Sequence, residues 1–207
     1  MKSKAMHYMT RLLAAAVFGT TTLLSPAQAA EAPPASKGQY QDSAMEAQWR
    51  QLQQTIHPEI AIKLSEEFQR DYPNSRYRQA NIRIQAGARK AFQARQAARL
   101  SSDALEDPAG DGAYRADLTQ AMRGNRDAAY RVALMYRQGS HGLAKDPQRS
   151  TQWLRIAAEL GNGRASWEVA NIYNREGAMA DAARFEAKAV RDGFRIPPRF
   201  PNRGLEY

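Results

Sequence analysis

Apolar residues recur every three or four positions through most of this chain. In one stretch they step by four, three and four residues, and in the next by four throughout: Met45, Trp49, Leu52 and Ile56, then Ile60, Leu64, Phe68 and Tyr72. This spacing places each set on one face of an α-helix. No part of the sequence shows the sustained alternation that indicates strands. The pattern therefore predicts an all-α fold.

Prolines and small polar residues separate the predicted helices. Pro58 suits the first turn of the second helix. Pro73-Asn74-Ser75 ends that helix and offers its serine as a cap for a third helix, from about residue 76 to residue 100. We therefore expect an N-terminal helical segment over residues 41–100, preceded by a flexible leader over residues 30–40.

Two later segments lack helical periodicity. Residues 101–112 combine acidic residues with Pro108, Gly110 and Gly112, which is typical of a linker. Residues 195–207 contain three prolines, so we expect an extended tail that can itself serve as a docking peptide.

The segment between them, residues 113–194, contains an internal repeat. Gly124, Gly161 and Gly193 are spaced by 37 and then 32 residues. Beyond Gly124, four positions carry the same residue type as the position 37 residues later. The pairs are Ala128 and Ala165, Val132 and Val169, Ala133 and Ala170, and Tyr136 and Tyr173. Self-similarity over a short period is the sequence signature of stacked repeats.

The first unit has the turn residues that a helical hairpin requires. Gly139 and Gly142 permit the positive φ angles that end its first helix. Asp146 and Pro147 then start the second helix, because aspartate accepts hydrogen bonds from free backbone N–H groups and proline suits the first turn. One hairpin cannot cover its own apolar face, so we expect stacked copies to cover one another.

The residue pattern of this unit is specific. The chain reads Ala-x-Tyr-x-Val-Ala-x-x-Tyr-x-x-Gly from Ala128, and Gly-Leu-x-x-Asp-x-x-Arg-Ser-x-x-Trp-x-x-Ile-Ala-Ala-x-x-Gly from Gly142. This resembles the Sel1-like repeat, a branch of the tetratricopeptide superfamily. It departs from that pattern at Ala133, at Ser150 and by one inserted residue near His141. The resemblance implies a right-handed α/α superhelical solenoid of helix–turn–helix repeats.

The neighbouring units are weaker. The second copy, residues 165–193, has a shorter loop and lacks the aspartate that restarts the helix. Upstream, Phe68-x-x-Asp71-Tyr72-Pro73-Asn74-Ser75 resembles the tetratricopeptide-like units of bacterial envelope proteins. Because about three stacked repeats are usually needed for stability, we expect the N-terminal helices to pack on the Sel1-like units as a cap.

Residues 1–29 have the features of a secretory signal peptide. Three basic residues and no acid occupy the first eleven positions, residues 12–24 are apolar, and Ala27-x-Ala29 provides a cleavage site. The alternative is a transmembrane anchor, but the apolar run is shorter than the roughly 20 residues that a span needs. We therefore expect cleavage after Ala29 and a periplasmic protein. The chain has no cysteine, the residue to which the lipid of a lipoprotein is attached.

The chain is basic, with 30 Lys and Arg against 21 Asp and Glu and a formal net charge of +9. Residues 72–102 contain no acid, and Arg76, Arg83 and Lys90 share one side of the predicted helix. These residues are candidates for contact with lipid headgroups, an acidic glycan or an acidic protein. The alternative is a solvated helix whose arginine stems cover apolar surface. Nucleic acid is a poor candidate, because an exported protein rarely meets it.

The sequence lacks the residue constellations of common enzymes. The absence of cysteine excludes thiolate nucleophiles and cysteine metal sites, and His57 and His141 are the histidines beyond residue 29. The motifs His-Glu-x-x-His, Gly-x-Ser-x-Gly and the phosphate-binding loop do not occur. We therefore expect a protein that is not an enzyme and uses no cofactor or metal.

These observations favour a non-enzymatic periplasmic adaptor. Helical repeats present an extended concave surface suited to protein recognition, and the resemblance implies a scaffold in polysaccharide export, secretion, motility or signalling. The residues expected to face an envelope protein are on the leading helices of the repeats: Arg131, Met135, Glu168, Asn171 and Asn174. The alternative function is binding of an acidic envelope polymer or glycan through residues 76–99. The sequence leaves the partner and the oligomeric state open.

Overall fold

A computed structural model describes residues 37–101 and 106–197. The predicted signal peptide, most of the predicted leader and the tail from residue 198 lie outside these residues. The described part contains eight α-helices and no strand: α1 (Lys37–Gln54), α2 (Pro58–Asp71), α3 (Arg78–Ala97), α4 (Gly112–Ala121), α5 (Arg126–Gln138), α6 (Pro147–Glu159), α7 (Gly163–Arg175) and α8 (Met179–Arg191). The all-α prediction is confirmed.

The helices pack mainly as hairpins between sequence neighbours. α2 packs on α3, α5 on α6 and α7 on α8, and the α6–α7 contact joins the last two hairpins. α3 also packs against α6, and α4 against α5. Each helix therefore contacts at least one neighbour in sequence, which is the arrangement of a helical-repeat solenoid.

The repeat hairpins share one core built largely from small side chains. Fully buried residues come from every helix of the two hairpins, and most recur at equivalent positions: Ala128, Val132, Ala133, Trp153, Ile156, Ala157, Ala165, Val169, Ala170 and Ala189. Alanine at these positions lets neighbouring helix backbones approach closely. Tyr136 lies in the same core and contacts Tyr114 of α4 edge-on, with 6.0 Å between ring centroids. The repeated residues are therefore packing residues.

The predicted turn residues end and start the helices of the first repeat. Gly139 caps α5 in the left-handed conformation with φ of 70°. The Asp146 carboxylate accepts a hydrogen bond from the Arg149 backbone N–H at 2.9 Å, and Pro147 occupies the first turn of α6. The second repeat differs, as predicted, because Ala178 at the start of α8 makes no side-chain capping hydrogen bond.

The N-terminal hairpin, formed by α2 and α3, has a core of its own that it shares with α1 and that is built from aromatic residues. Trp49 stacks on Tyr77 with 4.5 Å between ring centroids and packs against Phe68 at 5.5 Å. Beside them the buried Asn81 side chain donates to the Ser65 carbonyl at 2.9 Å, and the Ser65 hydroxyl donates back to the Asn81 side-chain oxygen. These bonds fix the register of α2 against α3.

The N-terminal helices pack against the repeats, as expected. Ala94, Ala98 and Leu100, at and beyond the end of α3, belong to the core of the repeats. The backbones of Gly87 and Gly124 meet so closely that a Cβ atom on Gly87 would lie 2.0 Å from the Arg123 carbonyl oxygen. The close packing of α3 against the α4–α5 turn therefore requires glycine at position 87.

Three expectations about local structure were wrong. Ile60 is 45% exposed, because the buried face of α2 is formed by Pro58, Ala61, Ser65 and Phe68. α3 begins at Arg78, and Ser75 lies in the preceding turn and does not cap it. α1 begins at Lys37, inside the predicted leader.

Candidate partner-binding face

The Glu168 carboxylate connects the leading helices of the two repeats. This carboxylate on α7 accepts hydrogen bonds from the Tyr130 hydroxyl at 2.6 Å and from the Arg137 guanidinium, both on α5. Arg164, one turn earlier on α7, adds an ion pair at 3.5 Å. The Glu168 side chain is only 16% exposed, so its charge is neutralised within the protein.

Tyr130 is held in its protonated form by this arrangement. Burial, and then the hydrogen bond to Glu168, raise the pKa of Tyr130 to about 12. The Arg164 guanidinium lies over the Tyr130 ring at 5.6 Å from its centroid. The tyrosine therefore acts as a hydrogen-bond donor at any physiological pH.

A second ion pair joins α5 to α4. Arg131 donates two hydrogen bonds to the Asp117 carboxylate, at 2.9 Å and 2.6 Å. The hydrogen bond to Asp117 raises the pKa of Arg131. Arg131 is exposed, as expected, but its guanidinium already has a fixed acidic partner.

Two of the five residues expected to face a partner instead make contacts within the protein. Met135 is 7% exposed, because α5 packs against α4 as well as α6 and both sides of the helix are covered. The prediction that Met135 faces outward was therefore wrong. Asn174 donates to the Glu186 carboxylate on α8 at 3.1 Å and helps to join α7 to α8.

Asn171 and Glu168 line a groove between α5 and α7, which we call the α5–α7 groove. Its volume is about 310 Å³, and residues from the first turns of α6 also line it. Its described lining residues are Arg137, Pro147, Ser150, Thr151, Leu154, Glu168, Asn171, Ile172 and Arg175. The structure thus brings two of the predicted partner-facing residues together in one concavity.

Sequence reasoning missed the residues that complete this face. Tyr130 was identified as a residue of the repeat pattern but not as part of this face, and Arg137, Arg164 and Arg175 were not singled out. The spacing of four residues between Arg164 and Glu168, which places both on one side of a helix, was the available signal. The partners of Glu168 on α5 became visible only in the structure.

The basic residues of the N-terminal segment are partly paired with acids. Arg76 pairs with Glu46 of α1, and Arg89 and Arg95 pair with Glu66 and Glu59 of α2 at 2.9 Å and 3.1 Å. Hydrogen bonding by Tyr77, and then by Arg76, lowers the pKa of Glu46. These three arginines hold helices together.

Arg83 and Lys90 differ from these arginines. Both are exposed on α3, and neither makes an ion pair with any residue that the structure describes. Arg76 precedes α3, so the three predicted polyanion-binding residues do not form one helical stripe. Lys90 instead borders a cavity of about 490 Å³ with Glu159, Lys188 and Arg191.

Among the described residues no three His, Asp or Glu side chains lie close enough to hold a metal ion. His141 contacts the Asp111 carboxylate at 3.1 Å in an exposed turn. Within the same residues no helix has the length and apolar character needed to cross a membrane.

Comparison with known proteins identifies the repeat. Residues 126–162, which span α5, α6 and the turn into α7, match the family model of the Sel1 repeat. No curated protein and no solved structure matches the chain. Sel1 repeats generally mediate protein–protein interaction, and helical-repeat folds of this type are typically scaffolds. The chain therefore contains a Sel1 repeat over residues 126–162, within an all-α helical-repeat fold.

Proposed function

We propose that this protein is a non-enzymatic periplasmic adaptor that binds another envelope protein through the face formed by α5 and α7. The observation that carries the proposal is the α5–α7 groove, which lies on the matched Sel1 repeat and its neighbour. The ion pairs around Glu168 hold the two leading helices at a fixed separation, so the groove is formed before a partner binds.

The proposal that the protein is exported is based on its sequence. The charged start, the short apolar run and Ala27-x-Ala29 support a cleavable signal peptide. Cell fractionation tests this directly: the mature protein should appear in the periplasmic fraction with Ala30 as its first residue. Recovery of the uncleaved chain in the cytoplasm would contradict export and leave the binding face to be tested separately.

Photo-crosslinking in living cells tests the binding face. A photoreactive amino acid is introduced at Gln138, which follows the groove residue Arg137, or at Arg175, which lines the groove. Arg83 on α3, which is also exposed, is the matched control. We expect a defined crosslinked protein from Gln138 and Arg175 and none from Arg83. The same product from all three positions, or no product, would contradict the proposal.

A second candidate is binding of an acidic envelope polymer by α3. The exposure of Arg83 and Lys90 without ion pairs favours it, whereas the pairing of Arg76, Arg89 and Arg95 leaves fewer cations for the purpose. Retention on immobilised polygalacturonate should then fall steeply with added salt and be lost in Arg83→Glu/Lys90→Glu. Retention that the double substitution leaves unchanged would remove this candidate.

A further inference from the structure

A cavity of about 490 Å³ lies where α3 meets the C-terminal ends of α6 and α8. We call it the α3–α8 cavity; it is lined by residues from 90–97 of α3, from 159–161 at the end of α6 and from 188–192 at the end of α8. It shares no described lining residue with the α5–α7 groove. Its volume lies in the range of small-ligand sites, roughly 300–1,000 Å³. The cavity is therefore a separate place where a small ligand, or one unit of a polymer, fits.

Two cations at the α3–α8 cavity are available to an anion. Lys90 is exposed and makes no ion pair with any residue that the structure describes. The Arg191 side chain is 71% exposed, and its contact with the neighbouring Asp192 carboxylate is long, at 3.5 Å. Lys188 differs, because it donates to Glu159 at 2.8 Å and is already paired. The cavity thus offers positive charge from α3 and from α8, which complements a carboxylate.

Negative groups at the same cavity select among anions. Glu159 and Asp192 line it, and α6 and α8 both end there. The C-terminal end of a helix carries partial negative charge, so these groups repel an anion with several charges, such as a polyphosphate. A hydroxyl group is attracted instead, because it can donate a hydrogen bond to a carboxylate. The cavity therefore favours a ligand that combines a single carboxylate with hydroxyl groups.

The remaining lining suits a sugar ring. The Gln93 side chain is exposed and makes no hydrogen bond with any described residue. A carboxamide both donates and accepts, as a hydroxyl group does. Ala94, Ala97 and Leu160 supply apolar surface for the C–H face of the ring. A uronic acid has all of these features, since its ring carries one carboxylate, several hydroxyl groups and a C–H face.

A second cavity continues the path for a chain of such sugars. Its volume is about 410 Å³, and it shares Glu159, Lys188 and Arg191 with the α3–α8 cavity. Arg184 on α8 also lines it, and its ion pair with Asp181 joins two exposed side chains at 3.6 Å. Cations thus follow one another from α3 to α8, as the carboxylates do along an acidic polysaccharide.

We propose that the α3–α8 cavity binds a uronic acid unit of an acidic polysaccharide. Lys90 and Arg191 attract the carboxylate, Gln93 and Glu159 bond hydroxyl groups, and the next unit of the polymer lies toward Arg184. This inference rests on the second candidate function, binding of an acidic envelope polymer. It places the polymer in a cavity formed by three helices, of which Arg83 is not a part.

Calorimetric titration of the full mature chain with three trimers tests the inference: tri-galacturonate, uncharged galactotriose and tripolyphosphate. We expect tri-galacturonate to bind, and galactotriose to bind about tenfold more weakly or less, because it lacks carboxylates. Tripolyphosphate should also bind more weakly than tri-galacturonate, although it carries more charge, because Glu159 and the ends of α6 and α8 repel it. No binding of tri-galacturonate, or equal or tighter binding of either other trimer, would overturn the proposal.

Substitutions locate the ligand on the protein. Lys90→Glu should weaken the binding of tri-galacturonate about tenfold or more, Lys90→Gln less, and Gln93→Ala several-fold. Arg83→Glu is the matched control, because Arg83 is exposed on the same helix and lies about 10 Å along it from Lys90. This change should leave the affinity within about twofold at physiological salt. Equal losses from Arg83→Glu and Lys90→Glu would show general attraction to a basic helix and would overturn the assignment.

Two further measurements separate sugar recognition from unfolding and from the other functions. Circular dichroism melting of each variant shows whether a loss of affinity reflects unfolding, which we do not expect because Lys90 is exposed and unpaired among the described residues. Arg175→Glu alters the α5–α7 groove and should leave the binding of tri-galacturonate unchanged. A loss as large as that of Lys90→Glu would overturn the placement in the α3–α8 cavity.

Failure of this inference is distinguishable from failure of the functions proposed above. Retention on polygalacturonate that is lost in Arg83→Glu/Lys90→Glu but kept in Lys90→Glu alone would remove this inference and leave the second candidate function standing. The adaptor function is tested separately, because crosslinking from Gln138 and Arg175 does not involve the α3–α8 cavity.

Discussion

The N-terminal hairpin and the Sel1-like repeats are both helical, but different residues hold them together. In the repeats the core is rich in fully buried alanines, and asparagine or aspartate side chains cap three of the four helices. In the N-terminal hairpin the core is an aromatic cluster around Trp49, and neither α2 nor α3 has a side-chain cap.

This difference explains why the repeats are easier to recognise from the sequence than the N-terminal hairpin. Caps and small residues act at fixed distances along the chain, so the repeat can be read from its spacing. An aromatic cluster depends on how helices from distant positions meet. Many combinations of large residues can fill such a core, and the sequence pattern is correspondingly looser.

Among the changes considered, removal of the Tyr136 ring from the repeat core should destabilise the protein most. Tyr136 is fully buried, and its hydroxyl contacts the Tyr114 hydroxyl at 3.1 Å and accepts from Arg149 at 3.2 Å. Tyr136→Ala should lower the free energy of unfolding by about 3–5 kcal/mol, as for other buried aromatic residues. Tyr136→Phe keeps the ring and should lose about 1–3 kcal/mol.

Urea denaturation measures both Tyr136 variants. Tyr77→Ala in the N-terminal hairpin provides the comparison, because Tyr77 is only partly buried and should lose less. If Tyr136→Ala were no more damaging than Tyr77→Ala, the repeat core would not be the more tightly packed region.

The next largest loss of stability is expected at the junction between the N-terminal hairpin and the repeats. Gly87→Ala places a Cβ atom 2.0 Å from the Arg123 carbonyl oxygen, so α3 must move away from the α4–α5 turn. We expect a loss of about 1–3 kcal/mol, as for overpacking in a core. Gly112→Ala is the matched control, since its Cβ would meet no atom within 4 Å. Equal thermal midpoints for the two variants would show that the junction is not tightly packed.

A smaller effect is expected at the caps that distinguish the repeats. The Asn125 side-chain oxygen accepts from the backbone N–H groups of Asp127 and Ala128, each at 3.0 Å. Asn125→Ala should destabilise the protein by about 1 kcal/mol, and Asn125→Asp should retain most of the stability because it keeps the acceptor. Thermal melts measure the loss of stability in both variants. If Asn125→Asp lowers the melting temperature as much as Asn125→Ala, Asn125 does not stabilise the protein through its helix cap.

The smallest effect is pH-dependent and lies at Asp111. The Tyr114 backbone N–H, followed by the His141 side chain, lowers the pKa of Asp111. The ionised carboxylate therefore stabilises the folded state above the ordinary pKa of about 3.9, and this contribution is lost as pH falls through the lower folded-state pKa.

Thermal melts of wild type and Asp111→Asn from pH 7 to pH 2.5 measure the contribution of Asp111. The difference between their midpoints should shrink as pH falls below about 4, and it should level off below the folded-state pKa of Asp111, where both proteins carry a neutral side chain. A difference that stays constant over this range would show that the charge of Asp111 does not contribute.

The sequence predicted the features of this fold that act locally. The spacing of Gly124 and Gly161 located the repeat, and Gly139, Asp146 and Pro147 end and start helices as predicted. Wrong predictions arose where tertiary packing decides exposure: Ile60 fits a helical stripe yet is exposed, and Met135 was expected to face outward yet is buried. Periodicity gives the spacing of a helical face but not which neighbours cover it.

The candidate site was predicted only in part. Glu168 and Asn171 were identified as outward residues of a leading helix, and both line the α5–α7 groove. The contact of Glu168 with Arg137 joins residues 31 positions apart, and the meeting of Gly87 with Gly124 joins two regions. Such contacts depend on the angle between packed helices, which no local pattern specifies.

The most direct test of the account is to map the binding site of the protein captured by crosslinking. Isotope-labelled mature chain is titrated with that purified partner, and backbone and Asn side-chain amide signals are followed by NMR. We expect the largest shifts at Arg137, Asn171 and Arg175, with the signals of Arg83 and Lys90 unchanged. Shifts concentrated on α3, with those of the α5–α7 groove unaltered, would contradict it.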